Sequence, residues 1–475
     1  MDARKPFVVF FSFGVLVWIY LFITMAGNDS HMSASNADVD GDSAALAALS
    51  EQAKQDEVEI MRLRAVISRL SISNPRAEPE SEAVGHQKKR RKWEDPIPVL
   101  VFACNRADAV SSLLRKLIEL RPSKELFPII VSQDCNDEKV RSAVNQFLGD
   151  VQYVKHQSAE EAQVDVPFHH TQYATYYYIA RHYKLALEHV FDKLGYNSVI
   201  LLEDDLDIST DFFEYFSGTR YLLDLDPMLW CVSAWNDNGK AGNIDRNAHS
   251  LLYRSDFFPG LGWMMTRTLW KEVGPKWPAG FWDDWLREPE NRKDRQCIRP
   301  EISRTKMTSF GKLGASKGLF FNKHLARVIL NDVYVAFTSM DLDYLLNPKY
   351  DGDFNRTVFQ ESPLMSVEDA VRFTLHNGNA GRSIRVEYNG NEDYIRKADT
   401  FHVMHDFKEF FRRFGSLFIL VLTIIDFVKA GVPRTAYQGV VTCFFNGVRV
   451  FLVPDRNVVK NYIKSWEVPE RFERN

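Results

Sequence analysis

The sequence predicts an α/β protein built on a mostly parallel sheet, with a smaller β-rich domain behind it and an apolar anchor and stem in front. Three observations carry this. From Ile97 onward, short apolar runs alternate with amphipathic helical stretches, the βαβ rhythm of a sheet covered on both faces. Near the N-terminus, the twenty residues from Phe7 to Ala26 carry no charge. Beyond about Leu346 the apolar runs shorten and alternate, as in a small sheet.

Residues 1–5 form a short tail containing Arg4 and Lys5. Residues 6–26 read as a signal-anchor, because an apolar run of this length at ~1.5 Å per residue reaches ~30 Å, the thickness of a bilayer's hydrocarbon core. A cleaved signal peptide has a shorter apolar region, so an uncleaved anchor is expected. Basic residues precede the run and Asp29, Asp38, Asp40 and Asp42 follow it, which keeps the N-terminus cytosolic and places the rest in a lumen or outside. Residues 27–96 are then a stem. Within it Leu46, Leu49, Ala53, Asp56, Ile60, Leu63, Ile67 and Leu70 follow the spacing of a coiled-coil seam, interrupted by Asp56. A homodimer through this helix and a solvated single helix both fit. Lys88 to Lys92 is a basic linker, and Asn28 and Asn355 head glycosylation sequons.

The globular body begins at residue 97, with a catalytic domain expected over 97–311. Strands are expected at Pro98–Cys104, Phe127–Ser132, Val151–Lys155 and Ser198–Leu202. Helices are expected at Ala109–Leu120, Glu138–Leu148 and Tyr176–Leu194. In such sheets ligands bind beyond the C-terminal strand ends. The residues there are Asn105 and Arg106, Asp134, and Glu203-Asp204-Asp205. Residues 312–347 form a Gly-rich loop and linker, and 348–475 the C-terminal domain, with strands near Val386–Tyr388, Gly439–Phe445 and Val448–Pro454.

Composition narrows the function. The chain has 475 residues and a net charge of −4, without the Lys/Arg excess that a nucleic-acid binder needs. Aromatics reach 13%, which suits stacking on flat ligand faces but equally a heavy core. Only 5 cysteines rule out a small disulfide scaffold.

The segment LLEDDLDI ends a buried strand in three successive carboxylates. These repel one another, and a hard divalent cation bridging a substrate diphosphate would compensate them. A βα pattern, a short acidic motif, a divalent metal and a sugar nucleotide together describe a GT-A type glycosyltransferase. Around it CVSAWNDNGK, LLYRSDFFPGLGW, PKWPAGFWDDW and RPEISRT follow from Cys231 to Thr305, and GVPRTAYQG stands at 431–439. With these segments the chain resembles the alpha-1,3-mannosyl-glycoprotein 2-beta-N-acetylglucosaminyltransferase family, N-acetylglucosaminyltransferase I.

The resemblance implies an inverting, Mn2+-dependent transferase of the Golgi membrane. It would move N-acetylglucosamine from UDP-GlcNAc to the α1,3-linked mannose of a high-mannose N-glycan, in β1,2 linkage. It implies Asp205 as metal ligand, with Asp204 near the ribose and Glu203 near the sugar hydroxyls. It further implies Arg106, Asp134 and His182 around the uridine, Ser316 on the donor through a Gly-rich lid, and Asp283 as general base. Inversion in one step requires only one base if the metal takes the charge of the leaving diphosphate. On an extended FWDDW segment Asp283 and Asp284 point opposite ways, so Asp283 alone would face the acceptor, among rings. The resemblance also pairs Cys104 with Cys135 and Cys231 with Cys297, leaving Cys443 as a buried thiol. The competing readings are a β1,2-transferase for another mannose acceptor, such as O-linked mannose, and a non-catalytic luminal lectin.

One segment departs from the family. Residues 409–429, EFFRRFGSLFILVLTIIDFVK, read as an insert whose apolar run, Leu417 to Ile425, is too short to span a bilayer. A buried helix, an interfacial segment and an isoform-specific segment all remain open for it.

Overall fold

The computed structural model describes residues 95–315, 318, 321–405, 432–455 and 457. The anchor at 6–26, the stem at 27–94, Ser316 and the 409–429 insert lie outside them. No helix among the described residues is long and apolar enough to cross a membrane.

The four expected strands form in order: β1 (Val99–Ala103), β2 (Ile129–Gln133), β3 (Val151–Lys155) and β4 (Ser198–Glu203). They lie parallel in the order β3-β2-β1-β4. β1 and β2 are buried at every residue, because helices cover both faces. Successive β1 residues therefore feed two cores. Val99, Val101 and Ala103 join one, and Leu100 and Phe102 the other. The crossover helices are α1 (Ala107–Leu120), α2 (Glu138–Asn145) and α3 (Ala174–Glu188). Asp137 caps α2 by accepting from the Val140 amide at 2.9 Å. The long helix expected over 176–194 ends in a π-turn at His189–Lys193.

Beyond β4 the sheet becomes mixed. A short β5 (Leu206–Ile208) leaves the main sheet and is followed by α4 (Phe212–Thr219). Then come β6 (Leu229–Ser233), β7 (Leu252–Ser255), β8 (Trp263–Thr266), α5 (Arg267–Val273), α6 (Trp282–Arg287), β9 (Gln296–Pro300) and β10 (Thr305–Met307). The eight-stranded order is β3-β2-β1-β4-β8-β6-β9-β7, with β8 antiparallel to β4 and β6. β10 pairs antiparallel with β5. The sheet is thus parallel in its first half and mixed in its second.

Among the described residues of the C-terminal module, α-helices accompany the strands. Helices α7 (Lys349–Asn355), α8 (Val367–Leu375) and α9 (Asn391–Thr400) accompany β11 (Ser383–Tyr388), β12 (Val441–Phe445) and β13 (Val448–Pro454). The three predicted runs fall on these three strands. Ile384, Val386 and Tyr388 alternate inward and meet Tyr394, Phe401 and Leu452 in a core of their own. Asp256, just past β7, joins the module to the sheet: its amide donates to Ala436 O at 2.7 Å, and its carboxylate accepts from the Gln438 amide at 2.6 Å.

Both expected disulfides are present, Cys104–Cys135 across the ends of β1 and β2, and Cys231–Cys297 between β6 and β9. Cys443 is a buried free thiol.

Candidate active site

β4 runs apolar until Glu203, and the chain then turns through Asp204 and Asp205 with both carboxylates buried. The cation nearest them is Arg106, which ends β1's outgoing turn. Its Nη1 lies 2.9 Å from Asp205 Oδ2, and its Nη2 bonds Asp204 Oδ1. Three carboxylates against one guanidinium leave a formal charge of about −2 when all are ionised. Burial, with Asp205 beside it, pushes the Asp204 carboxyl up to about 7, and the same causes raise Glu203. One oxygen on each aspartate, Asp204 Oδ2 and Asp205 Oδ1, is buried without a hydrogen-bond partner among the described residues. Such orphaned carboxylate oxygens want a ligand. A hard divalent cation fits them in charge and in donor type.

The segment leading to Ser316 is fastened to this turn. Thr308 donates to Asp205 O through its amide (2.8 Å) and hydroxyl (2.9 Å), and Arg106 Nη1 reaches Phe310 O at 3.2 Å.

The FWDDW segment is a helix, not an extended strand. Phe281 sits in the left-handed region (φ 54°) after Gly280, and α6 begins at Trp282. A Cβ on Gly280 would meet the Tyr177 ring at 3.0 Å, so a side chain there would press on that ring. On a helix, residues three and four apart share a face. Arg287 therefore holds both acids, Asp283 Oδ2 at 2.7 Å and Asp284 Oδ1 at 2.9 Å through the same Nη1. Its Nε donates to Phe258 O, and the guanidinium lies 4.9 Å over Phe257. The expectation of an extended segment with the two acids on opposite sides fails, because 100° of helical rotation replaces 180° of strand alternation.

Tyr183 joins this helix to the acidic turn. Its ring stacks on Phe102 of β1 (3.9 Å) and on Trp282 (4.2 Å), and its hydroxyl donates to Glu203 Oε1 at 2.9 Å. The acidic turn and Asp283 thus border one site through a shared aromatic wall.

Asp134, after β2, and His182, on α3, form the third part. His182 Nδ1 lies 3.2 Å from Asp134 Oδ1. Burial lowers the imidazole to about 3 and raises the Asp134 carboxyl to about 6. Cys104, Asp134 and Cys135 also crowd within 4.8 Å, but the disulfide removes both thiolates as metal ligands.

A family model, GNT-I family, matches residues 7–420 and 411–466. The chain belongs to the GNT-I family. The two matches overlap at residues 411–420, inside the 409–429 segment that the sequence reads as an insert. A curated relative from Arabidopsis thaliana, alpha-1,3-mannosyl-glycoprotein 2-beta-N-acetylglucosaminyltransferase, is 34% identical over 423 residues, covering 88% of this chain and 85% of that protein. Solved structures give looser likenesses. The mannosyltransferase PcManGT from Pyrobaculum calidifontis, in complex with GDP-Man and Mn2+, is 14% identical with a TM-score of 0.27 over 48% of this chain and 58% of that one. Residues 1–349 of S. aureus TarS are 12% identical with a TM-score of 0.31, over 64% of this chain and 80% of that one.

In this GNT-I family chain, the structure brings Arg106, Glu203, Asp204 and Asp205 together at one strand end, and Asp134 and His182 at the neighbouring strand. Asp283 stands on the far side of Tyr183. Sequence reasoning missed Arg287, Tyr183, Ser132 and His156. Arg287 was legible as the i+4 partner of Asp283 once the segment is read as a helix.

Proposed function

We propose that the chain transfers N-acetylglucosamine from UDP-GlcNAc to the 2-hydroxyl of the α1,3-linked mannose of Man5GlcNAc2 N-glycans, with inversion, on a GT-A type fold. Family membership supports the reaction. The observation that carries the site is the pair of orphaned oxygens on Asp204 and Asp205, in a turn already short of positive charge.

Asp205 Oδ1 and Asp204 Oδ2 would hold a divalent cation, Mn2+ in this reading. When bound, the cation supplies charge to the departing diphosphate, so no protein acid is needed. Arg106 aims both aspartates. Glu203 accepts from the sugar hydroxyls, and Asp134 with His182 meets the uracil edge. Asp283 takes the proton of the attacking mannose hydroxyl as the new C–O bond forms and the bond to UDP breaks. Arg287 holds that carboxylate in place. Ser316 follows in sequence the segment that Thr308 and Phe310 fasten beside Asp205, and in this reading it meets the donor.

The apolar run at 7–26 and the acidic residues after it support a type II anchor in the Golgi membrane with the body in the lumen. The test is the full chain in detergent with Mn2+, UDP-GlcNAc and Man5GlcNAc2, beside Asp283→Asn and Asp205→Asn. A single β1,2-linked transfer is expected. Asp283→Asn should lose it about 10²–10⁴-fold with UDP binding kept, and Asp205→Asn should lose metal-dependent UDP binding as well. Donor binding without transfer to this acceptor, but with transfer to O-linked mannose, would favour the other acceptor class.

A further inference from the structure

We infer that Ser132 and His156 are positioning residues that fix the ring proton of His182, and so set which pyrimidine base the donor site accepts. The inference rests on the reading that Asp134 and His182 face the nucleotide base.

Four polar groups form a chain at the C-terminal ends of β2 and β3. His156 Nε2 lies 3.0 Å from Ser132 Oγ, Ser132 Oγ lies 2.9 Å from His182 Nε2, and His182 Nδ1 lies 3.2 Å from Asp134 Oδ1. By distance alone, Asp134, His182 and Ser132 copy a nucleophile triad. Ser132 is not a nucleophile here, because it is 1% exposed and a second imidazole occupies its oxygen.

The chain has few ways to share its protons. Burial lowers His182 to about 3 and His156 to about 4, so each ring is neutral near pH 7 and carries one N–H. With Asp134 ionised, the Nδ1–H tautomer of His182 is the favourable one, since two lone pairs would otherwise face each other at 3.2 Å. Nε2 is then an acceptor and takes the Ser132 hydroxyl proton. Ser132 Oγ in turn accepts from His156 Nε2–H. Phe102 meets the edge of the His182 ring at 5.1 Å and limits its rotation.

This polarity matters for recognition. Uracil offers a ring N–H between two carbonyls, whereas cytosine offers a ring lone pair beside an amino group. With the His182 N–H turned toward Asp134 Oδ1, the second oxygen of that carboxylate is left to accept from the uracil ring N–H, and it repels the cytosine lone pair. Without the Ser132 hydroxyl, the Nε2–H tautomer of His182 becomes available. A lone pair would then face Asp134, and the base-reading edge would lose its fixed pattern.

The experiment measures UDP and CDP affinity, and KM and kcat for UDP-GlcNAc, in the full chain with Mn2+. Variants are Ser132→Ala, His156→Phe, Ser132→Thr, His156→Gln and, as control on the underlying reading, Asp134→Ala. Loss of one fixed hydrogen bond predicts about tenfold weaker UDP binding in Ser132→Ala and His156→Phe. KM should rise accordingly, with kcat within about twofold and a smaller UDP-over-CDP preference. Ser132→Thr and His156→Gln, which keep a hydroxyl and an N–H donor, should recover most of both. Unchanged UDP affinity and preference in Ser132→Ala and His156→Phe, with Asp134→Ala weakened, overturns the inference and leaves the base site standing. Equal weakening toward UDP and CDP, unrescued by Thr or Gln, also overturns it, since that marks packing alone. Parent-like UDP binding by Asp134→Ala overturns both.

Discussion

The Tyr183 hydroxyl donates to Glu203 Oε1 at 2.9 Å while its ring stacks 4.2 Å from Trp282, the residue before Asp283. One side chain therefore sets a donor-side carboxylate and the entry to the acceptor-side helix. Tyr183→Phe separates the two roles, because it keeps the stack and deletes the bond. It leaves a carboxylate oxygen enclosed without its donor, at about 1–3 kcal/mol. The expected outcome is a KM for UDP-GlcNAc raised about tenfold. Acceptor KM should stay near that of the parent, since the ring stack remains. Steady-state kinetics with each substrate varied would decide, and an unchanged donor KM would remove Tyr183 from the site.

Arg287 places a cation where the sequence shows only rings. Its Nη1 bridges Asp283 and Asp284, and its Nε is tied to Phe258 O. Arg287→Ala frees both acids to rotate and to repel. A misplaced base costs about 10²-fold in kcat, whereas UDP binding sees nothing of it. Arg287→Lys keeps the charge but not the fork, so a partial recovery is expected. Calorimetry with UDP beside turnover assays checks the split. Equal losses of UDP affinity and kcat would mean that α6 has unfolded instead.

The parallel half of the sheet was legible because buried parallel strands are continuous apolar runs, and β1 and β2 are buried at every residue. The acidic turn was legible because carboxylates do not follow a buried strand without a reason. The mixed half was harder to see. β7 and β8 are short, their order depends on long-range pairing, and spacing carries none of that. The FWDDW misreading has a specific cause. Aromatic-rich pentapeptides favour strands by propensity, but Gly280 and the left-handed Phe281 reset the backbone into a helix. Ser132 and His156 were invisible because each looks like an ordinary strand-end residue until β2, β3 and α3 are placed side by side.

Asp134 and His182 shift in opposite senses, and acid stability exposes this. Folding holds His182 down at about 3 against an ordinary 6.5, and Asp134 up at about 6 against 3.8. Between roughly pH 4 and 6 the unfolded pair carries one proton, on the imidazole. The folded pair also carries one, on the carboxyl. Their joint contribution to the slope is then near zero. Asp134→Asn removes the folded-state proton but not the unfolded-state one on His182. The variant should lose about 1.4 kcal/mol of stability per pH unit, relative to the parent, as pH falls from about 6 toward 4. Urea unfolding of both proteins at pH 7, 6, 5 and 4.5 reads the difference, and parallel curves would refute it.

The C-terminal module reaches the acceptor side through Arg434, whose Nη1 lies 2.6 Å from Asp237 Oδ1 and whose guanidinium sits 5.0 Å over Phe257. Arg287 lies over the same ring. Asp237 is 2% exposed, and its Oδ2 has no hydrogen-bond partner among the described residues, so the arginine is its principal compensation. Removing one member of a buried pair strands the other, at about 3–5 kcal/mol. Arg434→Ala should therefore destabilise the protein by about that much. Combining it with Asp237→Asn should restore part of the loss, because no uncompensated charge remains. The double variant should still show a raised acceptor KM with the donor KM unchanged, since the Phe257 wall has lost one of its two arginines. A urea-unfolding double-mutant cycle with parallel kinetics tests both halves. Strict additivity in the cycle would show that the two residues are not energetically linked, and an unchanged acceptor KM would confine Arg434 to holding the module in place.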